Sequence, residues 1–259
     1  MPRRSLSGLR TILTGATSGI GRALTIELIR RGARVLALGR RADRLATLAT
    51  EVSQPDNYRS FAGDVTNHDD RLAALKLAQH EFGGLDCLIN NAGIGALGPF
   101  EDADAARLRQ IMEVNFFAPV EFIREALPTL AAGNKPIIVN VSSVLGHRAV
   151  PDKSEYCASK FAIHGFSDAL RAELSPRGID VLLISPSTTS SEFFDSALGR
   201  SNENHFRFGA MTPESVAIRT ASAIASGRHE IILSAGGQLL VWLDRLCPPL
   251  ANWLVRRRT

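Results

Sequence analysis

A tyrosine and a lysine four residues apart, Tyr156 and Lys160, lie on a stretch of helical period from Ser154 to Leu174, so both project from one face. On a solvated helix such a pair is ordinary surface chemistry. In a cleft it is an acid–base device. A phenol of ordinary pKa about 10 must fall by about 3, roughly 4 kcal/mol, to exchange a proton near neutrality. One ammonium about 4 Å away, at an effective dielectric of about 20, supplies roughly 4 kcal/mol. Ser143 stands thirteen residues before the tyrosine, with Ser142 beside it, at the end of an apolar run from Pro136 to Val141. Either hydroxyl can close that strand, and either can reach a ligand at the strand's carboxyl end.

A second constellation lies near the N-terminus. Thr14-Gly15-Ala16-Thr17-Ser18-Gly19-Ile20-Gly21 falls between an apolar run, Thr11–Leu13, and an amphipathic helical pattern, Ile20–Arg31. Glycines there let the backbone turn sharply and approach a pyrophosphate, whose charge the helix N-terminus meets. The spacing G-x-x-x-G-x-G differs from the commoner G-x-G-x-x-G, and the weight rests on its place within a strand–turn–helix unit.

The elements that must position these groups alternate along the chain. Further apolar runs at Val35–Leu38, Tyr58–Phe61, Leu85–Ile89, Ile179–Ile184 and Glu230–Leu233 read as strands. Helical patterns separate them at Arg41–Ser53, His68–Phe82, Ala103–Met112, Phe116–Ala131 and from Pro213 onward. Strands apolar on both faces, alternating with helices, predict one doubly wound α/β domain, Rossmann-like, with a mostly seven-stranded parallel sheet covered by helices on both faces. The expected domain is 1–235, with residues 187–212 as a substrate lid and 236–259 as an amphipathic C-terminal extension.

Together these motifs resemble the short-chain dehydrogenases/reductases, in their compact non-extended branch. Besides the glycine turn, the residues that carry the resemblance are Asp64-Val65, Asn90-Asn91-Ala92-Gly93, Asn115, Ser143 and Tyr156-Cys157-Ala158-Ser159-Lys160, in the family's order between about Arg10 and Leu233. The resemblance implies hydride transfer between a nicotinamide and a carbonyl or secondary alcohol. Tyr156 is then the general acid/base, Ser143 the group that steadies the substrate oxygen, and Lys160 the cation that lowers the tyrosine pKa and holds the ribose. Asn115 is implied to hold a water linking the lysine to solvent; an asparagine between helices also serves as a cap. Gly15, Thr17, Ser18, Gly19, Ile20 and Gly21 would cradle the pyrophosphate. Asp64 and Val65 would bracket the adenine, and Asn91, Ala92 and Gly93 would line the adenosine and ribose. After strand six the family's Pro-Gly and later threonine become Pro186-Ser187 and Ser191 here. A hydroxyl is retained toward the carboxamide.

The end of the second strand chooses the cofactor. An acid there would accept from the ribose hydroxyls and repel a 2′-phosphate, whereas arginine attracts it. The chain reads Leu38-Gly39-Arg40-Arg41, with no acid before Asp43. NADP(H) is expected, with Arg40 as principal contact and Arg41 secondary. Phe193, Phe194, Phe206 and Phe208 in the lid favour an apolar or amphipathic substrate over a sugar.

Composition excludes other classes. The net charge of +4 is too small to argue for nucleic acid. The three cysteines, Cys87, Cys157 and Cys247, form no C-x-x-C, and the six histidines show no ligand spacing, so neither a disulfide scaffold nor a metal is expected. No apolar stretch approaches the length of a spanning helix, and no leader is expected ahead of Thr14. The expected setting is cytoplasmic, as a homodimer or homotetramer. The extension from Gly236 carries Trp242, Trp253 and the stripe Leu239, Leu243, Leu246, Leu250, Leu254, broken by Pro248-Pro249 and closed by Arg256-Arg257-Arg258. Such a stripe suits a peripheral membrane contact, a partner subunit or a cover for the substrate mouth. Two other readings of the chain remain beside the enzyme: a catalytically silent dinucleotide-binding sensor, and a membrane-surface interaction protein acting through this tail.

Overall fold

The computed structural model describes residues 3–190, 192–193, 197–199 and 210–256. In chain order the elements are β1 (Arg10–Thr14), α1 (Gly19–Arg30), β2 (Arg34–Gly39), α2 (Ala42–Glu51), β3 (Tyr58–Ala62), α3 (His68–Phe82), β4 (Cys87–Asn90), β5 (Ala96–Leu97) and α4 (Ala105–Met112). There follow α5 (Ala118–Ala131), β6 (Ile137–Val141), α6 (Ser154–Leu174), β7 (Asp180–Ser185), β8 (Leu198–Gly199), α7 (Pro213–Ser226), β9 (Glu230–Ile232), α8 (Ala235–Leu246) and α9 (Pro248–Arg256).

Seven strands form one parallel sheet in the order β3-β2-β1-β4-β6-β7-β9, the doubly wound arrangement expected from the alternation of strands and helices. Alternate residues of each strand feed two separate cores. Leu13, Val35, Ala37, Ile89, Val139 and Leu182 pack on the face covered by α1 and α7. Ile12, Leu36, Leu38, Leu88, Ile138 and Val181 pack on the face covered by α3, α5 and α6. A period of two on strands that are buried on both sides explains why the runs read as continuously apolar.

Parallel pairing brings every strand's carboxyl end to one edge, and the order reverses between β1 and β4, where a crevice must open. Helix ends are fixed locally. Asn67 accepts from the amides of Asp69 and Asp70 at the start of α3, and Gly83 ends that helix at φ 76. Between α4 and α5 the chain does not break at Asn115, as the pattern suggested. It runs through a widened π turn, Glu113–Phe117, which rotates Asn115 inward.

Two features were not legible in the periodicity. β5 and β8 pair in parallel as a small second sheet, which ties Leu198 and Gly199 to the loop after β4. The tail is two helices that meet at Cys247, where Pro248 forbids continuation.

Candidate active site

The glycine turn connects β1 to α1. Gly15 takes φ +69, and a Cβ on it would lie 2.8 Å from the Ala92 Cα. On Gly21 a Cβ would run into the Gly15 carbonyl oxygen and stand 2.5 Å from Asn91 Nδ2. Close approach of α1 to the loop after β4 is therefore what these two glycines permit. Ser18 is the N-cap of α1, and its side chain makes no capping hydrogen bond, which leaves the first-turn amides to face an anion.

Alanine normally gains about 1 kcal/mol over glycine within a helix, but overpacking against backbone costs about 1–3 kcal/mol or more. The clash should win for Gly21→Ala. Its Tm is expected to fall by about 4–8 °C on a net loss of about 2 kcal/mol. A rise in Tm by calorimetry would show that the contact is not as tight as described.

Thr14, which sequence reasoning left out of the site, joins β1 to this loop: its Oγ accepts from the amides of Asn91 and Ala92, both at 3.0 Å. The Asn91 side chain donates to the Thr14 and Gly15 carbonyls at 2.9 and 3.2 Å. Asn115 is buried. Its amide oxygen accepts from the Ile94 amide at 2.9 Å, while its nitrogen donates to the Ile94 carbonyl and the Ser159 hydroxyl at 2.9 and 3.0 Å. It caps no helix in this arrangement; both ends of its side chain fasten the loop after β4 to α6. A further buried chain runs from Asn90 to Asn140 to Ser167, each link 2.9 Å. No spacing in the sequence announced it, because its members come from β4, β6 and α6.

Ser143 ends β6 and opens a short 3-10 turn, Val144–Gly146, accepting from the Leu145 amide at 3.1 Å. Ser142 faces the other way, donating to the Lys160 carbonyl at 3.2 Å. The structure thus separates the two serines: Ser142 is a structural latch, and Ser143 stands beside the Tyr156 hydroxyl. Tyr156 and Lys160 are buried, 6% and 5% exposed, on one face of α6. The Tyr156 ring meets Phe193 edge-on at 5.8 Å. Lys160 Nζ donates to the Val141 carbonyl at 3.0 Å and lies 5.7 Å from the centre of the Tyr156 ring.

The electrostatic expectation needs correcting for the folded chain itself. Burial pushes the Tyr156 phenol well above its ordinary pKa, and the neighbouring Ser143 hydroxyl only partly opposes this. The same burial pushes Lys160 down to about 8. Desolvation penalises the charged form of each, so the pairing estimated for a half-wet site does not lower the phenol here.

Arg40 lies at the end of β2, largely exposed, 3.8 Å from Asp64. Arg41 donates to the Thr17 hydroxyl at 3.0 and 3.2 Å. Glu192 reaches across to Arg44 at 2.7 Å and Arg41 at 3.6 Å. Gly15, Thr17, Ser18, Gly19, Ile20, Gly21, Arg40, Arg41, Asp64, Val65, Asn91, Ala92, Gly93, Ser143, Tyr156, Lys160, Pro186 and Ser187 all border one cleft along the carboxyl edge of the sheet. Asn115 sits behind its wall. Ser187 takes an ordinary negative φ, so replacing the usual glycine strains nothing. Ser191, Phe194, Phe206 and Phe208 lie outside the described residues, as does most of the segment 187–212. Its two ends are clasped together, the Met211 amide donating to the Thr188 carbonyl and the Ser190 amide to the Met211 carbonyl, each at 3.0 Å.

The tail closes one end of the cleft. Leu240, Leu243 and Val255 face into it, Arg148 holds Asp244 at 2.6 Å and Asn252 at 2.5 Å, and Gly237 packs tightly on Val144. Trp242, Leu246 and Trp253 remain exposed on the outer side, while the exposed Leu239 borders the cleft.

Comparison with known proteins agrees with this fold. The sequence model of the short chain dehydrogenases matches residues 10–200. Dehydrogenase/reductase SDR family member 7B of Xenopus tropicalis is 31% identical over 255 residues, covering 92% of this chain and 82% of its own. Nodulation protein G of Rhizobium sp. (strain N33) is 32% identical over 220 residues, covering 85% of this chain and 89% of its own. Among solved structures, the 3-ketoacyl-(acyl-carrier-protein) reductase of Brucella melitensis complexed with NADH superposes with a TM-score of 0.82 at 26% identity, over 90% of this chain and 99% of that one. A short chain dehydrogenase/reductase of Burkholderia phymatum in complex with NAD reaches 0.86 over 95% of this chain and 96% of its own, at 23% identity, a likeness of fold alone. With its parallel seven-stranded sheet, its glycine turn and its Ser143, Tyr156 and Lys160 on one cleft, the chain belongs to the short chain dehydrogenase/reductase family of oxidoreductases.

Proposed function

We propose that this protein is an NADP(H)-dependent oxidoreductase interconverting a carbonyl and a secondary alcohol on an apolar or amphipathic substrate, with Tyr156 as general acid/base. The observation that carries the reading is the convergence of Ser143, Tyr156 and Lys160 on the cleft that also holds the glycine turn. The residues fit a dinucleotide: Gly15 and Gly21 leave room only for backbone approach, and the α1 amides face the place of a pyrophosphate. When bound, the nicotinamide supplies or takes up the hydride.

The chain's own residues do the rest. Ser143 donates to the substrate oxygen. Tyr156 gives that oxygen its proton in reduction and removes it in oxidation, and its burial keeps it protonated and ready to donate. Lys160 binds the nicotinamide ribose and, while charged below a pKa of about 8, opposes the cost of ionising the phenol. Asn115 supports both by holding the loop after β4 against α6. Leu240, Leu243 and Phe193 give the cleft an apolar wall, which excludes water from the reacting atoms and suits an apolar substrate. Residues 187–212 act as the lid and 236–259 as a separate extension at its mouth.

Support for NADP(H) comes from the end of β2, where Arg40 and Arg41 stand with no acid on that strand end. The Brucella relative was complexed with NADH. A charge-assisted phosphate contact is worth about 1.5–3 kcal/mol, so kcat/KM should favour NADPH over NADH by about 10–100-fold, and Arg40→Ala should erase most of that. Equal values, or a preference for NADH, would remove the assignment. A ketone and alcohol panel followed by nicotinamide absorbance tests the reaction. Cofactor binding with no turnover on any member would instead identify a silent sensor.

The exposed Leu239, Trp242, Leu246 and Trp253 sustain a second role for the tail, peripheral contact with a membrane surface. Among the described residues no helix is long and apolar enough to cross a membrane. Loss of vesicle co-sedimentation on deleting 236–259 tests this role. Phe117 and Phe161, each about half exposed on neighbouring segments, support a homodimer or homotetramer. The free thiols Cys87, Cys157 and Cys247 support a reducing, cytoplasmic setting.

A further inference from the structure

Histidines that show no ligand spacing along the chain are brought together by the fold. His147 follows the 3-10 turn that Ser143 opens, His164 lies one helical turn beyond Lys160 on α6, and Glu230 begins the edge strand β9. One ligand atom from each lies within 4.8 Å of the others. The His147 and His164 rings meet edge-to-face at 4.4 Å. His147 Nε2 stands 3.2 Å from Glu230 Oε1, and His164 Nε2 stands 4.0 Å from the same oxygen.

The polar accounting of this cluster is incomplete without a cation. Among the described residues the buried Glu230 Oε1 has no hydrogen bond of good geometry, and its nearest basic neighbour is the His147 ring at 3.2 Å. The His147 side chain is 2% exposed, and its Nδ1 also lacks a partner. Its Nε2 contacts the Ser185 hydroxyl at 2.9 Å. On His164, Nδ1 is 3.3 Å from the Gly146 carbonyl, and Nε2 is 3.4 Å from Asp168 Oδ2, a carboxylate already held by Arg171 at 2.8 Å. A buried carboxylate oxygen without a donor costs about 1–3 kcal/mol or more unless something positive meets it.

We infer that His147, His164 and Glu230 form a binding site for a first-row divalent cation, of which Zn2+ is the natural probe. Two imidazoles and one carboxylate are borderline donors that suit such an ion and leave a fourth position for Ser185, Asp168 or solvent. Ligand atoms about 2.0–2.1 Å from a tetrahedral Zn2+ stand about 3.3 Å apart. The His147–Glu230 separation of 3.2 Å already matches, and the others, none wider than 4.8 Å, lie within about 1.5 Å of that value. The consequence is mechanical. The ion would tie the turn after Ser143, the helix of Tyr156 and Lys160 and the strand leading to α8 at one point, outside the cleft itself.

The test uses the full chain stripped of metal with a chelator. Calorimetric titration with ZnCl2 should show one saturable equivalent, Co2+ should gain the visible bands of a low-symmetry nitrogen/oxygen site, and Tm should rise by about 5–10 °C at 100-fold excess over Kd. Glu230→Gln and His164→Asn should each weaken that equivalent by about 100-fold or more, because even second-layer partners of metal ligands are worth about 10–100-fold. Melting curves of the metal-free variants establish that each is folded. No saturable equivalent in the unmodified protein below about 100 µM Zn2+, a Kd corresponding to about −5.5 kcal/mol, overturns the site. So does undiminished binding in either folded variant, which would place the ion on the exposed Cys247 or surface histidines. If a variant fails to fold, the absence of a saturable equivalent in the unmodified protein still overturns the site, and a thiolate band in its Co2+ spectrum, which only a cysteine ligand gives, does so too.

Discussion

Tyr156→Phe is expected to lower kcat by about 10³-fold while leaving the dissociation constant for NADPH within about threefold of the unmodified enzyme. The ring itself is held by apolar contact, edge-on to Phe193 and against Ile111 and Ala96, so phenylalanine fills the same space. What disappears is one hydroxyl beside Ser143. That hydroxyl is kept protonated by burial, so the proton is in place for reduction, whereas oxidation first requires the phenol to ionise. The loss should therefore be large in both directions, and the oxidative rate of the intact enzyme should climb more steeply with pH than the reductive rate. Single-turnover measurements on a good substrate check this. Residual kcat within about tenfold of the intact enzyme would mean that the proton comes from elsewhere in the cleft.

Lys160→Met is expected to produce the opposite of what loss of a buried contact usually does: a protein that is more stable at pH 7 and nearly inactive. In the fold this amine titrates at about 8, against an ordinary value of 10.5, because burial disfavours its charge. Below about pH 8 it is charged in both the folded and unfolded states, and the full cost of burying that charge, on the order of 3 kcal/mol, weighs on stability. Between about 8 and 10.5 the unfolded chain binds the proton and the folded one does not, so stability rises with pH and the cost fades. Methionine removes the cost but leaves the Val141 carbonyl without its donor, an offset of about 1 kcal/mol. The net gain of about 2 kcal/mol should raise Tm by about 4–8 °C at pH 7, fall to zero at about pH 9.5, and turn into a loss of about 1 kcal/mol above about pH 10.5. Activity should fall by at least about 100-fold, since the proposed ribose contact and the charge that favours ionisation of the phenol are lost together. A destabilised variant at pH 7 would show that Lys160 is better solvated than its burial implies.

These two expectations differ in how much of them could be read from the chain alone. That Tyr156 and Lys160 share a face, that a glycine turn joins the first strand to the first helix, and that seven apolar runs build a parallel sheet all follow from short-range rules. A period of two, a period of 3.6 and the conformational freedom of Gly15 are properties of contiguous residues, and the observed elements agree with them to within one or two residues at most ends. The choice between Ser142 and Ser143, the inward turn of Asn115, the clasp of Thr14 on the loop after β4 and the packing of the tail helices against the cleft were decided only in three dimensions. So was the direction in which Tyr156 and Lys160 titrate, and so was the meeting of His147, His164 and Glu230. The physical reason is common to all of them. Local geometry is written in neighbours along the chain, whereas the cost of a charge or an unpaired oxygen depends on how much water every distant segment, folded together, has taken away.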